Sequence, residues 1–318
     1  MSHKTDRRTF IKGSLAAPAA VALSLNTAAG QAAAQQTENA LPQGRIGDLS
    51  VSRLLLGGNL LTHFTHSRDL KYVYNLVEHY NTEQKIMETM AIAEQNGVNT
   101  LVVHTVPAVL DTLRKYRNEQ GGKIQWIICP TAPVEGNLEE YAKQVQELVD
   151  DGVEAIYLWG VHADQLAWNG KMDTVARLVD MVKEHGIPSG VGAHDFRVVL
   201  DCERKGINAD FYIKTFHHHK YPTGPKPAEL TKPYNEIPGY WCRDPKEVID
   251  LMKDVEKPWI AFKVMAAGAI PPQDAFQYAF KNGADHVLAG MFDFEIPEDA
   301  ALVRDIVPKI SRTRPWRS

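Results

Sequence analysis

Residues 259–292 read WIAFKVMAAGAIPPQDAFQYAFKNGADHVLAGMF, and they hold one complete repeat of a fold. Trp259–Met265 is a short apolar run of strand length. Pro272–Asn282 starts on proline, which is preorganised for a first helical turn, and stops at Gly283. Asp285–Phe292 is apolar again. Strand, helix and strand in this order form a parallel βα unit, because a parallel pair needs a crossover that a helix supplies.

The same unit recurs on both sides. Strands are expected at Arg53–Asn59, Asn99–His104, Gln125–Thr131, Glu154–Gly160, Pro188–His194 and Asp210–Phe216, ahead of the two just named. Helices are expected at Thr82–Asn96, Asn137–Asp151, Met172–His185, Pro245–Glu256 and Glu298–Ile310 as well as Pro272–Asn282. The first two place apolar residues every three or four positions and end at Gly97 and Gly152; Asp244 is the cap before Pro245. Eight units in about 260 residues predict an α/β fold, a (β/α)8 TIM barrel, over an open doubly wound sheet. An open dinucleotide-binding sheet would carry a glycine fingerprint after its first strand, and Gly57-Gly58-Asn59 lacks that spacing. Gly44–Ser52, turning at Gly47-Asp48, predicts a hairpin cap over the barrel floor. His63–Asn81 and His217–Arg243 are long connections that leave the C-terminal ends of strands, where barrels build their sites.

Ahead of the barrel, Arg7-Arg8-Thr9-Phe10-Ile11-Lys12 precedes an apolar run, Gly13–Leu25, and then Ala32-Ala33-Ala34. That order predicts a twin-arginine export signal over residues 1–34 and a single barrel domain over 35–318, in the periplasm or outside the cell. The apolar run is too short and alanine-rich to span a bilayer stably. Cleavage after Ala34 would remove four cations and one anion, taking the net charge from −4 to about −7. An acidic chain without a basic stripe argues against nucleic-acid partners. Arg312, Arg314 and Arg317 read as a short solvated tail. Three cysteines, Cys129, Cys202 and Cys242, without close spacing, argue against a disulfide framework or a structural zinc site.

Polar side chains close the successive apolar runs: Asn59, His104, Cys129, His162, His194, Lys214, Lys263 and Asp293. Their recurrence at one end of the strands points to one shared pocket for a small-molecule substrate. His104 and His194 are candidate ligands for a divalent metal (zinc, manganese, iron or nickel). His63, His66, His162 and His217–His219 lie on the same face, and Asp195 and Asp293 could supply oxygens. Lys214 and Lys263 alternate with Ile213, Phe262 and Val264, which are expected to face the helices and so turn both lysines inward. Two lysines on adjacent strands would repel and lower at least one pKa toward a usable amine. Such an amine suits a Schiff base or proton removal beside a carbonyl. An ion pair with Asp293 or Asp210 is the structural alternative. Trp159, Trp241 and His217 are candidate pocket walls beside Asn59 and Asp293, since aromatic faces suit sugar rings. Ala266-Ala267-Gly268-Ala269 is either a backbone cradle for an anion or a tight turn. Cys129 before Pro130 reads as a buried thiol.

Leu41–Asn59, LPQGRIGDLSVSRLLLGGN, resembles the opening hairpin of the aldo-keto reductases. The likeness runs on faintly through Ala93–Thr100, Ala155–His162 and Ile260–Ile270. It implies the barrel, and it implies NADP-dependent hydride transfer. The family's catalytic Asp, Tyr and Lys are not found, since strand two ends Val103-His104-Thr105 and strand three Cys129-Pro130-Thr131. Only His162 falls near the family's histidine, and Gly290-Met291-Phe292-Asp293 departs from its phosphate-binding signature.

Three functions stay open at this level. The first is an exported barrel enzyme doing proton-transfer chemistry (isomerase, epimerase, lyase or aldolase type) on a small carbohydrate or keto substrate. There Lys263 and Lys214 would be base and electrophilic partner, with His104, His194 and a metal, if one is bound, orienting oxygens; His162 is the catalytic candidate that a reductase would keep. The second is a divergent NADP-dependent oxidoreductase. The third is a non-catalytic sugar-binding barrel.

Overall fold

Two short strands, β1 (Gln43–Ile46) and β2 (Leu49–Ser52), pair antiparallel through the turn at Gly47. This computed structural model describes residues 40–68, 70–224, 226 and 242–318, so the leader and Trp241 lie outside the described residues. Leu41–Ser318 form one unit. After the hairpin the strands are β3 (Leu54–Gly57), β4 (Thr100–His104), β5 (Gln125–Cys129), β6 (Ala155–Leu158), β7 (Ser189–Ala193), β8 (Phe211–Thr215), β9 (Trp259–Phe262) and β10 (His286–Ala289). Each pairs in parallel with the next, and β10 pairs with β3, closing an eight-stranded barrel. All eight expected strands are present, each shortened at one end or both.

Side chains alternate across each strand, and the alternation builds two cores. Leu55, Val102, Ile127, Phe211, Ile213, Ile260 and Leu288 fill the barrel axis. Ile46 and Val51 of the hairpin pack into the same cluster and are fully buried. The hairpin is therefore a plug, and each of these side chains contributes about 1.5–3 kcal/mol by leaving water. Their neighbours in sequence, such as Leu54, Leu101, Val103, Trp126 and Tyr212, face the helices in a second core.

The described residues hold ten helices. These are α1 (Tyr72–Tyr80), α2 (Glu83–Gln95), α3 (Pro107–Glu119), α4 (Glu139–Asp150), α5 (Gly160–Trp168), α6 (Met172–Lys183), α7 (Phe196–Lys205), α8 (Pro245–Met252), α9 (Pro272–Lys281) and α10 (Ile296–Ile306). Thr82 caps α2 through the Lys85 N–H, and Asp244 caps α8 through the N–H groups of Lys246 and Glu247. In α4 the buried residues Tyr141, Val145 and Leu148 form one stripe, and in α6 Val175, Leu178, Val179 and Val182 form another. Helix α1 occupies much of what reads in sequence as the long loop 63–81. Its buried residue is Val77 alone, so little apolar patterning marks it.

The C-terminal arginines are not solvated. Arg314 is buried at 2% exposure and its guanidinium lies 2.6 Å from the Asp285 carboxylate, itself fully buried. Arg314 also donates to the carbonyls of Gly283, Val255 and Lys257, and Arg312 to those of Phe280, Gly283 and Ala284. Carbonyls left open at the N-terminal rim of the barrel need donors, and the tail brings them. Arg53, at the foot of β3, donates to the Asp285 carbonyl and to the Ser318 hydroxyl, and stacks on Trp316 at 3.9 Å. Gly283 has φ +106, and a Cβ there would meet the Arg314 side chain at 2.9 Å. The tail closes on that space.

Candidate active site

The C-terminal ends of the strands open into one cavity with two lobes. Asn59, His66, His104, Tyr157, Phe262 and Lys263 line both. The smaller lobe, about 50 Å³, adds Trp159, Gly160, Gly192 and His194. The larger, about 420 Å³, extends past β9 and β10 along Val264–Pro272 to Gly290, Phe292 and Glu295. Such a volume is in the range of small-molecule sites.

His194 follows β7 and is nearly buried, at 8% exposure. Its Nδ1 lies 2.7 Å from Asp164 Oδ2. Asp164 sits on α5, buried at 1%, and also accepts the main-chain N–H groups of His194 and Asp195. A carboxylate at Nδ1 fixes the proton there and leaves the lone pair on Nε2, the tautomer of a general base. Close backbone packing sets the geometry. A Cβ on Gly192 would sit 2.8 Å from the Gly160 N and 2.9 Å from the Leu158 carbonyl, so α5 starts hard against β7 only because residue 192 is glycine. Asp195 caps α7, accepting from the Arg197 N–H and pairing with its guanidinium. Burial raises the Asp195 pKa, but the Arg197 bonds outweigh it and the net value is low.

His104 ends β4 and stacks with Trp159 at 6.4 Å between centroids and 12° between planes, with Phe64 edge-on at 5.5 Å. Burial lowers its pKa below the ordinary histidine value, so it faces the lobe as a neutral ring at pH 7. Tyr157, on β6, shares a hydrogen bond with Cys129, and burial followed by that contact holds its phenol well above the usual value. Cys129 is fully buried and its thiol is pushed up to about 12 by burial, which makes it inert as a nucleophile.

Lys263 takes a left-handed φ of +57, and Ala266, Ala267 and Gly268 follow at +47, +55 and +78. Left-handed non-glycine residues cost about 1–2 kcal/mol each, so this run is a strained wall held by its surroundings. Lys263 stands at the junction of the lobes, with its ammonium 5.4 Å from the Phe262 ring centroid.

Several expected site residues lie elsewhere. Ile213 and Phe262 point into the barrel rather than toward the helices, so the parity assumed for Lys214 is reversed. Lys214 lies behind β8, 1% exposed, and donates to the Thr215 carbonyl and hydroxyl. Burial lowers its pKa, and Cys242, Asp164 and Asp195 offset part of that. Asp293 faces the rim, accepting from the Tyr80 hydroxyl at 2.7 Å and the Lys85 ammonium at 3.0 Å. Burial pushes its pKa up, but these two partners dominate and hold it low. His217 is buried with Nδ1 against the His218 carbonyl. His162, on α5, packs edge-on to Trp159, and its Nδ1 has no hydrogen-bond partner among the described residues. None of these four lines either lobe. Among the described residues no three His, Cys, Asp or Glu side chains gather to hold a metal ion. The His104–His194 pair thus lacks a third ligand there, and His194 Nδ1 is already committed to Asp164.

Solved structures share this architecture. The aldo-keto reductase AKR11C1 from Bacillus halodurans, in holo form, superposes with a TM-score of 0.54 at 12% identity over 87% of this chain and all of that one. Gox0644 in its apo form gives 0.53 at 10% identity, covering 88% and 98%. A point mutant of Gox0644 in complex with NADPH gives 0.53 at 10%, covering 86% and 90%. The fold shared with these proteins is the closed eight-stranded (β/α)8 barrel. Identities this low carry the barrel and nothing of its chemistry. No curated protein matches the sequence. The twin-arginine translocation pathway signal sequence family matches residues 4–24, so the chain carries a signal for export. Among the described residues no helix is long and apolar enough to cross a membrane.

The sequence pattern missed Asp164, Tyr157 and the reach of His66 into both lobes. Asp164 has a signal, since it follows the buried Ala163 on the inner face of α5, where a charge is out of place unless partnered.

Proposed function

We propose that the mature chain, beginning after residue 34, is an exported enzyme that moves a proton beside a carbonyl of a small hydroxylated or keto substrate. The observation that carries this is the His194–Asp164 pair at 2.7 Å on the wall of the smaller lobe. His194 Nε2 takes the proton from the carbon beside the carbonyl; the C–H electron pair becomes the enolate C=C bond as the carbonyl π pair moves onto oxygen. In this reading the Lys263 ammonium and the Asn59 amide, which line the lobe, hold the oxyanion that forms, and Trp159 and His104 wall the ring of the substrate. Return of the proton to the same or the neighbouring carbon gives epimerisation or isomerisation. Loss of a β-substituent gives elimination.

A second reading, NADP-dependent reduction, draws on the aldo-keto reductase-like opening hairpin and on neighbours that include the Gox0644 complex with NADPH. The larger lobe offers poor anchorage for that cofactor, and no step is assigned to it. The test is proton exchange. Wild-type protein incubated with neutral ketoses and keto-glycosides in deuterated water should exchange the α-hydrogen, read by proton NMR. His194→Ala should lose at least about 100-fold of that rate. Absence of exchange across the panel, together with NADPH oxidation by any of those carbonyls, would replace this reading with the second.

A further inference from the structure

NADPH presents three phosphate groups, and a site for it must offer cations or free N–H donors. The larger lobe offers few of either. Among its described lining residues the formal charges are Lys263 and Glu295 alone. Part of the strained wall's donor set is already taken: the N–H groups of Ala266, Ala269 and Ile270 bond to Lys263, Ala266 and Met265 carbonyls. Helix α9 opens on the lobe with Pro271 as cap and Pro272 as first residue. Two of the four donors that make a helix start an anion site are therefore missing. In the turn after β10, Glu295 Oε2 accepts the Phe292 N–H at 2.8 Å, so a carboxylate of the chain already occupies an anion position. Polar side chains (Asn59, His66, His104 and Tyr157) are those it shares with the smaller lobe; the rest of its lining is apolar, including Val102, Val103, Val264, Met265, Ile270 and Leu288.

We infer that the larger lobe receives an uncharged apolar portion of the substrate itself, an aryl or alkyl group joined to the headgroup processed in the smaller lobe. This rests on the proton-transfer reading for the headgroup, and it assigns the substrate class: a neutral, phosphate-free conjugate such as an aryl or alkyl glycoside.

The test is direct binding to the full chain with N-phenyl-1-naphthylamine, a neutral apolar fluorophore. Saturable enhancement is expected, displaced by phenyl and octyl glucosides and not by glucose 6-phosphate, NADH or NADPH at about 1 mM. Ala269→Phe, which fills the lobe, should weaken the probe at least about tenfold, and Ala269→Leu by a smaller factor. Circular-dichroism melts confirm that each variant is folded. Probe affinity unchanged in whichever variant folds, absence of probe binding, or displacement by micromolar NADPH would each overturn the inference. His194→Ala should keep full probe affinity while losing proton exchange, so the two readings fail separately.

Discussion

His194 and Asp164 stand thirty residues apart in the chain and 2.7 Å apart in space. The contact joins the end of β7 to the middle of α5, and it orients the imidazole against the smaller lobe. Asp164→Asn keeps the shape and offers an N–H where Nδ1 needs an acceptor. The expected result is the opposite tautomer of His194, read by nitrogen-15 NMR of the ring, and a fall in proton exchange of about 10²–10⁴-fold. An unchanged ring spectrum would remove the dyad from the mechanism.

The two lysines should separate cleanly. Lys263 reaches both lobes, whereas Lys214 is buried behind β8 with its ammonium on Thr215. Lys263→Met is expected to lower exchange by at least about tenfold with little change in melting temperature. Lys214→Met should leave exchange within about twofold and hold or raise stability, because an apolar chain of similar length replaces a buried amine. Equal losses of activity in both would contradict the orientation seen in β8.

Asp299 gives a pH signature. It lies on α10 at 4% exposure, and burial, then Glu295 and Glu298, raise its pKa from 3.8 to about 7. Between those values the folded chain holds a proton that the unfolded chain has lost, so stability falls as pH rises from 4 to 7. Asp299→Asn should therefore melt like wild type at pH 4 and several degrees higher at pH 8, a gain on the order of 2–4 kcal/mol. A gain of equal size at both pH values would refute the shift.

Arg314→Ala leaves Asp285 buried without its closest partner at 2.6 Å. A loss of about 3–5 kcal/mol is expected by denaturant melt. Asp285→Asn with Arg314→Met should recover much of it, which separates the unpaired charge from lost packing.

Periodicity made the barrel legible. Eight apolar runs with glycine-stopped helices gave the strand order, and Gly44–Ser52 gave the plug. Helices α1, α3, α5 and α7 lie outside the expected set; α1 buries Val77 alone, whereas α3 (Val109, Leu113, Tyr116) and α7 (Val198, Val199, Cys202) do carry a buried stripe. Inside the strands, parity was the weak point. Ile213 and Lys214 differ by one position, and nothing local says which of them the barrel turns inward; that is decided by what β7 and β9 place on either side. Lys263 escapes parity altogether because its backbone is left-handed. Asp164 was hidden for another reason. Its partner comes from the next βα unit, and a contact of that kind leaves no spacing to read.

The clamp of Arg53, Asp285 and Arg314 has a bearing on how the protein is made. Residues 312–318 leave the ribosome after all eight barrel strands, yet Ser318 accepts from Arg53 at the foot of β3 and Arg314 donates to Asp285 at the foot of β10. The cylinder is locked only once this tail has been made and has folded back onto its foot. A twin-arginine leader suits that sequence of events, because its translocase accepts cargo after folding rather than during synthesis.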